Sequence, residues 1–175
     1  MDTTKTYEQF PLWIPLIALL MELCMFLLGA YILLGFGILI VILYLLYCIS
    51  MELIVVLRGC KNCYYYGKLC GMWKGRIAPL FTKKGDTAKF NERTIRPIDL
   101  LPDFLVTIFP LVGGIILSVL DFSMLRVGLM IILLVLSLGG TAVIRGSFAC
   151  KYCKQREVGC PAETLFNKKQ QQKIS

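Results

Sequence analysis

The 175-residue sequence contains no histidine, which removes the side chain that most often shuttles protons near neutral pH and gives nitrogen to metals. Charge is scarce as well. Asp, Glu, Lys and Arg make up 17% of the chain against 57% hydrophobic residues, whereas soluble domains carry about 25% charged and about 45 to 50% apolar residues. That balance excludes an ordinary soluble domain and sends the apolar excess to lipid. Also missing are a phosphate-binding glycine loop, a nucleophile elbow and a His-based dyad, so soluble-enzyme chemistry has no support. No basic lead-in precedes the first apolar stretch, which runs on into a second. It is expected to stay in the mature protein and not to act as a cleaved signal.

What is present is apolar length. Leu12 to Leu57 hold 46 positions with two charges, Glu22 and Glu52, and Phe104 to Ile144 hold only Asp121 and Arg126. A 46-residue helix would be roughly 69 Å long, about twice the hydrocarbon thickness, so the first block must fold back. Gly29, Gly35 and Gly37 place that turn within 29 to 37, because glycine accepts the backbone angles of a tight reversal. Asp121 to Arg126 form the polar connection in the second block. The expectation is an all-α integral membrane protein with four transmembrane helices, arranged as two hairpins at about 12–57 and 104–144.

Four spans put the N-terminus, the 58–103 connection and the C-terminal tail on one side. Eighteen of the nineteen basic residues fall there and only Arg126 falls opposite, which by the positive-inside rule makes that side cytoplasmic in a multi-pass cell-membrane protein. The same rule explains the net charge of +8 with lipid headgroups as counterions, and nucleic acid is not expected as a partner.

Eight cysteines are the other conspicuous feature, and six of them repeat a pattern. Arg58-Gly59 leads into Cys60, Cys63 and Cys70, and Arg145-Gly146 into Cys150, Cys153 and Cys160, each triplet reading C-x2-C-x6-C. Leu80-Phe81-Thr82-Lys83-Lys84 and Leu165-Phe166-Asn167-Lys168-Lys169 extend the parallel and read as interfacial anchors. The repeats are therefore 1–97 (hairpin, cysteine knuckle 58–71, basic interfacial loop) and 98–175 (hairpin, knuckle 145–161, basic tail). Because each begins and ends on the same side, they are parallel repeats about an axis along the membrane normal.

Cysteines in a reducing compartment at x2 spacing point to metal or redox chemistry, since two thiolates so spaced converge on one ion. The expected metal ligands are Cys60, Cys63, Cys70, Cys150, Cys153 and Cys160, with either an Fe-S cluster or Zn bound. Each triplet resembles one half of the fungal binuclear zinc cluster, in which six cysteines hold two zinc ions. Here 79 residues separate the triplets, so neither membership nor DNA binding follows. Cys160-Pro161 resembles the Cys-Pro that closes ferredoxin-type cluster motifs. A single four-thiolate site of Cys60, Cys63, Cys150 and Cys153 is a third solution, leaving Cys70 and Cys160 as extra ligands or a redox pair.

Two functions remain open: an electron-transfer subunit or adaptor of a membrane redox complex, working with other membrane subunits or a quinone-like carrier, and a zinc-stapled scaffold. The staple has a physical motive, because the 58–103 loop has few apolar residues with which to build a core. A heavy-metal carrier using Glu22, Cys24 and Cys48 is weaker, as the second hairpin has no matching residues. Four helices with cysteine pairs resemble membrane thiol oxidoreductases in architecture, but their reactive pairs face the oxidising side. Glu22, roughly 15 Å deep, and Glu52, roughly 9 Å deep, are expected to face the bundle neutral or paired, as a proton or cation relay or, the preferred reading, as protonated acids bonded to Tyr44, Tyr47 or a backbone carbonyl. Gly113-Gly114 and Gly139-Gly140 are expected to pack the third helix against the fourth.

Overall fold

The computed structural model describes residues 6–87, 90 and 97–160. Within them the chain is helical, with one isolated parallel bridge between Tyr7 and Cys153. Helix α1 spans Trp13–Leu33 and α2 Ile38–Arg58; short α3 covers Lys74–Phe81; α4 spans Pro97–Leu120 and α5 Met124–Val135. Beyond α5 the helix continues through π turns at Leu136–Gly140 and Ile144–Ala149 that flank α6, Thr141–Val143; α7, Gln155–Val158, follows the second cysteine pair. Four helices are long and apolar enough to cross a membrane: Trp13–Phe36, Ile38–Asn62, Leu101–Leu120 and Met124–Ala149.

The first reversal falls at the late edge of its expected window, at a 3-10 turn Leu34–Phe36 followed by Gly37 with φ +101. At that angle a side chain would be strained, which is why glycine marks the turn. The second block is longer than expected at both ends. Pro97 opens α4 at the position where a missing N–H costs nothing, and the π turns carry the fourth span to Ala149.

Contact among the spans depends on small residues. Helix α1 packs most extensively against α4, and also against α2 and the fourth span. Gly29 lies under the Tyr44 ring, where a Cβ would come within 2.8 Å of Cζ, and Tyr44 is thereby free to donate its hydroxyl to Val106 O at 3.0 Å. Tyr47 donates to Pro102 O at 2.9 Å. These bonds cross from α2 to α4, where no water competes for the carbonyls. The glycine pairs behave differently from expectation. Gly113 abuts Leu33 and Phe36, Gly114 abuts both Ile32 and Met130, Gly140 abuts Met21, and Gly139 meets nothing. They therefore seat α4 and the fourth span mainly on the first span, and Gly114 alone of the four also touches the fourth helix from the third. Leu16, Leu20, Leu23, Leu27, Leu39, Leu43, Leu46 and Ile116 are among the large apolar side chains left on the outside, the distribution expected of helices solvated by hydrocarbon.

Candidate metal centre

Both cysteine loops leave their helices with the same backbone bonds. After α2, a 3-10 turn Cys60–Asn62 closes with Cys63 N donating to Cys60 O at 3.2 Å, and Tyr66 N then donates to Cys63 O at 3.1 Å. After Ala149, Cys153 N donates to Cys150 O at 3.3 Å and Arg156 N to Cys153 O at 3.2 Å. Such turns bring amides round to the sulfur of the second cysteine. The Tyr65 amide lies near the Cys63 sulfur and the Gln155 amide near that of Cys153, where each favours the thiolate. Amide donors of this kind are the usual support of a metal-bound thiolate. The third cysteine of the first loop has one too, Gly75 N donating to Cys70 Sγ at 3.2 Å.

The loops face each other. Tyr64 N donates to Gln155 Oε1 at 2.6 Å, and Lys154 N donates to the Tyr65 hydroxyl at 2.9 Å. In each loop the residue after the second cysteine gives its amide to the side chain two positions after the other loop's second cysteine. The exchange is reciprocal. Tyr65 passes its own proton to Tyr7 O at 2.6 Å, while Gln155 Nε2 donates to Gly159 O at 2.9 Å, next to Cys160.

An aromatic core fills the junction, which corrects the expectation that this region cannot build one. Phe10, Ile14 and Tyr65 are buried to 3%, 3% and 1% exposure, with Tyr7, Tyr64, Tyr152, Cys63, Cys70 and Cys153 against them. The loop alone has too few apolar residues. The missing part comes from the segment before α1, where Tyr7 N donates to Tyr152 O at 3.0 Å and Phe10 N to Leu69 O at 3.1 Å. Glu8 takes bonds from Tyr64 and Lys154 at the rim.

Burial pushes the Cys63 thiol up to about 11, with Cys70 and Cys160 adding to the rise against the amide donors. Burial likewise pushes Cys153 up to about 12, opposed by the Gln155 amide and reinforced by Cys63, Cys150 and Cys160. Cys60 lies within electrostatic reach of Cys63 and Cys70. Across the two loops, Cys63 and Cys153 lie within electrostatic reach of each other and of Cys160. Among the described residues, no group of three or more cysteine, aspartate or glutamate side chains is gathered closely enough to hold a metal ion. Cys160 is the last described residue, so Pro161, the basic tail and the second anchor at 165–169 lie outside the described residues. The first anchor is described: Leu80 and Phe81 end α3 exposed, followed by exposed Lys83 and Lys84.

The membrane carboxylates are not paired with Tyr44 or Tyr47, whose hydroxyls go to α4. Instead Lys74, at the start of α3, reaches back between the first two helices to Glu22 at 3.1 Å and Glu52 at 2.5 Å. Its position in a long basic loop gave no sign of this, because nothing in the local pattern separates it from nine other cations. Cys24 is exposed on α1, whereas Cys48 is buried with Ala30, Leu33, Val41 and Tyr44 as a small apolar residue. No protein family, curated protein or solved structure matches this chain.

Proposed function

We propose that this chain is a small integral membrane metal-thiolate protein in which two parallel repeats close one site from Cys60, Cys63, Cys70, Cys150, Cys153 and Cys160, and that it serves a membrane redox assembly as an electron-transfer subunit or adaptor. The single observation that carries the reading is the reciprocal pair, Tyr64 N to Gln155 and Lys154 N to Tyr65. A contact in which each partner gives what it receives is the signature of twofold packing. The helices support the same axis: α1 against α4 is its own counterpart, while α1 against the fourth span mirrors α2 against α4.

The donor set fits a thiophilic metal. Neutral thiols that raise one another's proton affinity become favourable ligands once a cation replaces the protons, and the Gly75 amide already bonded to Cys70 spreads part of the remaining negative charge. Closing the site requires the thiols to ionise and turn toward a common ion. Iron-sulfur and zinc share this chemistry, and the metal decides whether the site carries electrons or only holds the loops. Because the aromatic core and the reciprocal bonds already join the loops, stapling is not the only task left to a metal, which favours the redox reading. The loops and both termini are assigned to the cytoplasmic side on the charge bias, with lipid headgroups at the basic rim and a quinone-like carrier or neighbouring subunits as electron partners.

Anaerobic purification followed by elemental analysis and absorbance tests the function. Iron with sulfide and a visible band that bleaches on reduction supports electron transfer. Zinc without such a band leaves the scaffold, and a chain free of both metals overturns the proposal.

A further inference from the structure

Glu22 of α1 and Glu52 of α2 meet inside the first helical pair. The Lys74 ammonium bridges their carboxyl groups, 3.1 Å from Glu22 Oε1 and 2.5 Å from Glu52 Oε2. Glu22 also accepts the Trp73 indole N–H at 3.0 Å and a Lys74 ammonium proton at 3.1 Å. Glu52 Oε2 is buried and accepts no hydrogen bond, since the Lys74 ammonium approaches it at 2.5 Å outside hydrogen-bond geometry. Trp73 adopts φ 56, an uncommon angle for a bulky residue, and this turns both the indole and the first residue of α3 toward the pair. The side chains of Lys74, Glu22 and Glu52 are 9%, 14% and 25% exposed, so water reaches the cluster mainly at Glu52.

Two carboxylates against one ammonium leave one negative charge uncompensated, in surroundings where an unpaired charge is costly. Two carboxylate groups held against the same ammonium have only acceptors to offer each other, and the surplus charge is relieved when one of them carries a proton. We infer that Glu22 and Glu52 bind one exchangeable proton between them beside the Lys74 ammonium, forming a proton-binding site within the membrane-spanning part of the first repeat. The proton is assigned to Glu52, whose buried Oε2 no hydrogen bond satisfies. Glu22 is the charged partner because it already receives the Trp73 and Lys74 bonds. The other titratable groups within electrostatic reach of Glu52 are the Cys48 and Cys60 thiols, and on α4 Asp103 acts on Tyr47 of α2. Neither acid has a counterpart in the second repeat. The site does not rest on the metal reading, although Cys60 of that reading lies within electrostatic reach of Glu52.

Infrared spectroscopy of the full chain in lipid nanodiscs at neutral pH tests this through the carbonyl stretch of a protonated carboxylic acid, which moves on exchange into heavy water. The wild type is expected to show one such group per chain. Glu52→Gln and Glu22→Gln should each abolish it, because either change leaves a one-to-one pair with Lys74 that needs no proton. Helical circular dichroism checks that the variants fold. A wild type without the band overturns the proposal whatever the variants do, and so does a band that survives in either variant.

Discussion

Replacing Tyr65 by Phe removes one oxygen and should open the junction between the cysteine loops. That hydroxyl accepts from Lys154 N at 2.9 Å and donates to Tyr7 O at 2.6 Å, and the residue is 1% exposed. The ring stays, so apolar burial is unchanged and the loss is confined to two hydrogen bonds. At about 1 kcal/mol net for each bond, the docked arrangement should weaken by about 2 kcal/mol, which is about 30-fold in the opening equilibrium. Because Lys154 lies beside Cys153 and Tyr65 two residues past Cys63, the opening should expose those thiols. In metal-free protein, maleimide labelling of Cys63 and Cys153 should therefore accelerate about 30-fold, while Cys24, already exposed on α1, should label at its former rate. Tyr66→Phe is the control, since its hydroxyl bonds to Thr82 O within its own loop. Unchanged labelling of Cys63 and Cys153, or an equal effect of the control, would refute the claim that Tyr65 joins the loops.

Gly29→Ala should drive a methyl into the Tyr44 ring and break its bond to Val106 O, costing about 1 to 3 kcal/mol; thermal unfolding of the purified protein should show the loss, with partial rescue by Tyr44→Phe if the close approach is the cause. Burial alone would lower the proton affinity of Lys74, but the Glu22 carboxylate, with the Glu52 carboxyl beside it, more than offsets this and the net shift is upward. A raised lysine contributes stability that is complete below its unfolded pKa and fades as pH rises through the folded one, so protease resistance of the α3 segment should persist beyond the ordinary lysine range before it is lost. In intact cells of the source, or of a host with the same insertion rule, an impermeant thiol reagent should leave Cys60 and Cys150 unmodified even after metal depletion; ready labelling from outside would reverse the assigned orientation.

The membrane character was legible because apolar length is a one-dimensional signal: two runs interrupted by two charges each cannot fold in water. The first turn was legible from its glycines, although only Gly37 takes the angle that requires one. The two C-x2-C-x6-C loops were visible as matching cysteines, but the bonds between them were not. Tyr65 and Gln155 occupy equivalent places yet share no chemistry in the sequence, and their equivalence lies in offering an oxygen at the same spot. Two further features were hidden because they are long-range. Tyr7 and Phe10 carry no motif ahead of the first apolar stretch, yet Tyr7 reaches loop residues 58 and 145 positions further on and both complete the aromatic core there. Lys74 read as one more interfacial cation, whereas its chain turns at Trp73 and carries it to two acids on different helices. Net charge counts reveal sidedness but cannot tell which cation is withdrawn from the surface.

Metal content per chain in wild type, Cys63→Ser, Cys153→Ser and the double variant tests the shared site most directly. The two positions belong to different loops and sit within electrostatic reach of each other. If both loops close one centre, losing either knuckle removes the site as a unit. Each single variant should then retain almost no metal and match the double, while detergent-extracted protein stays helical because the four apolar spans do not depend on the ion. Half the metal in each single variant and none in the double would mean two independent sites, and equal metal in all four proteins would contradict the metal-thiolate account altogether.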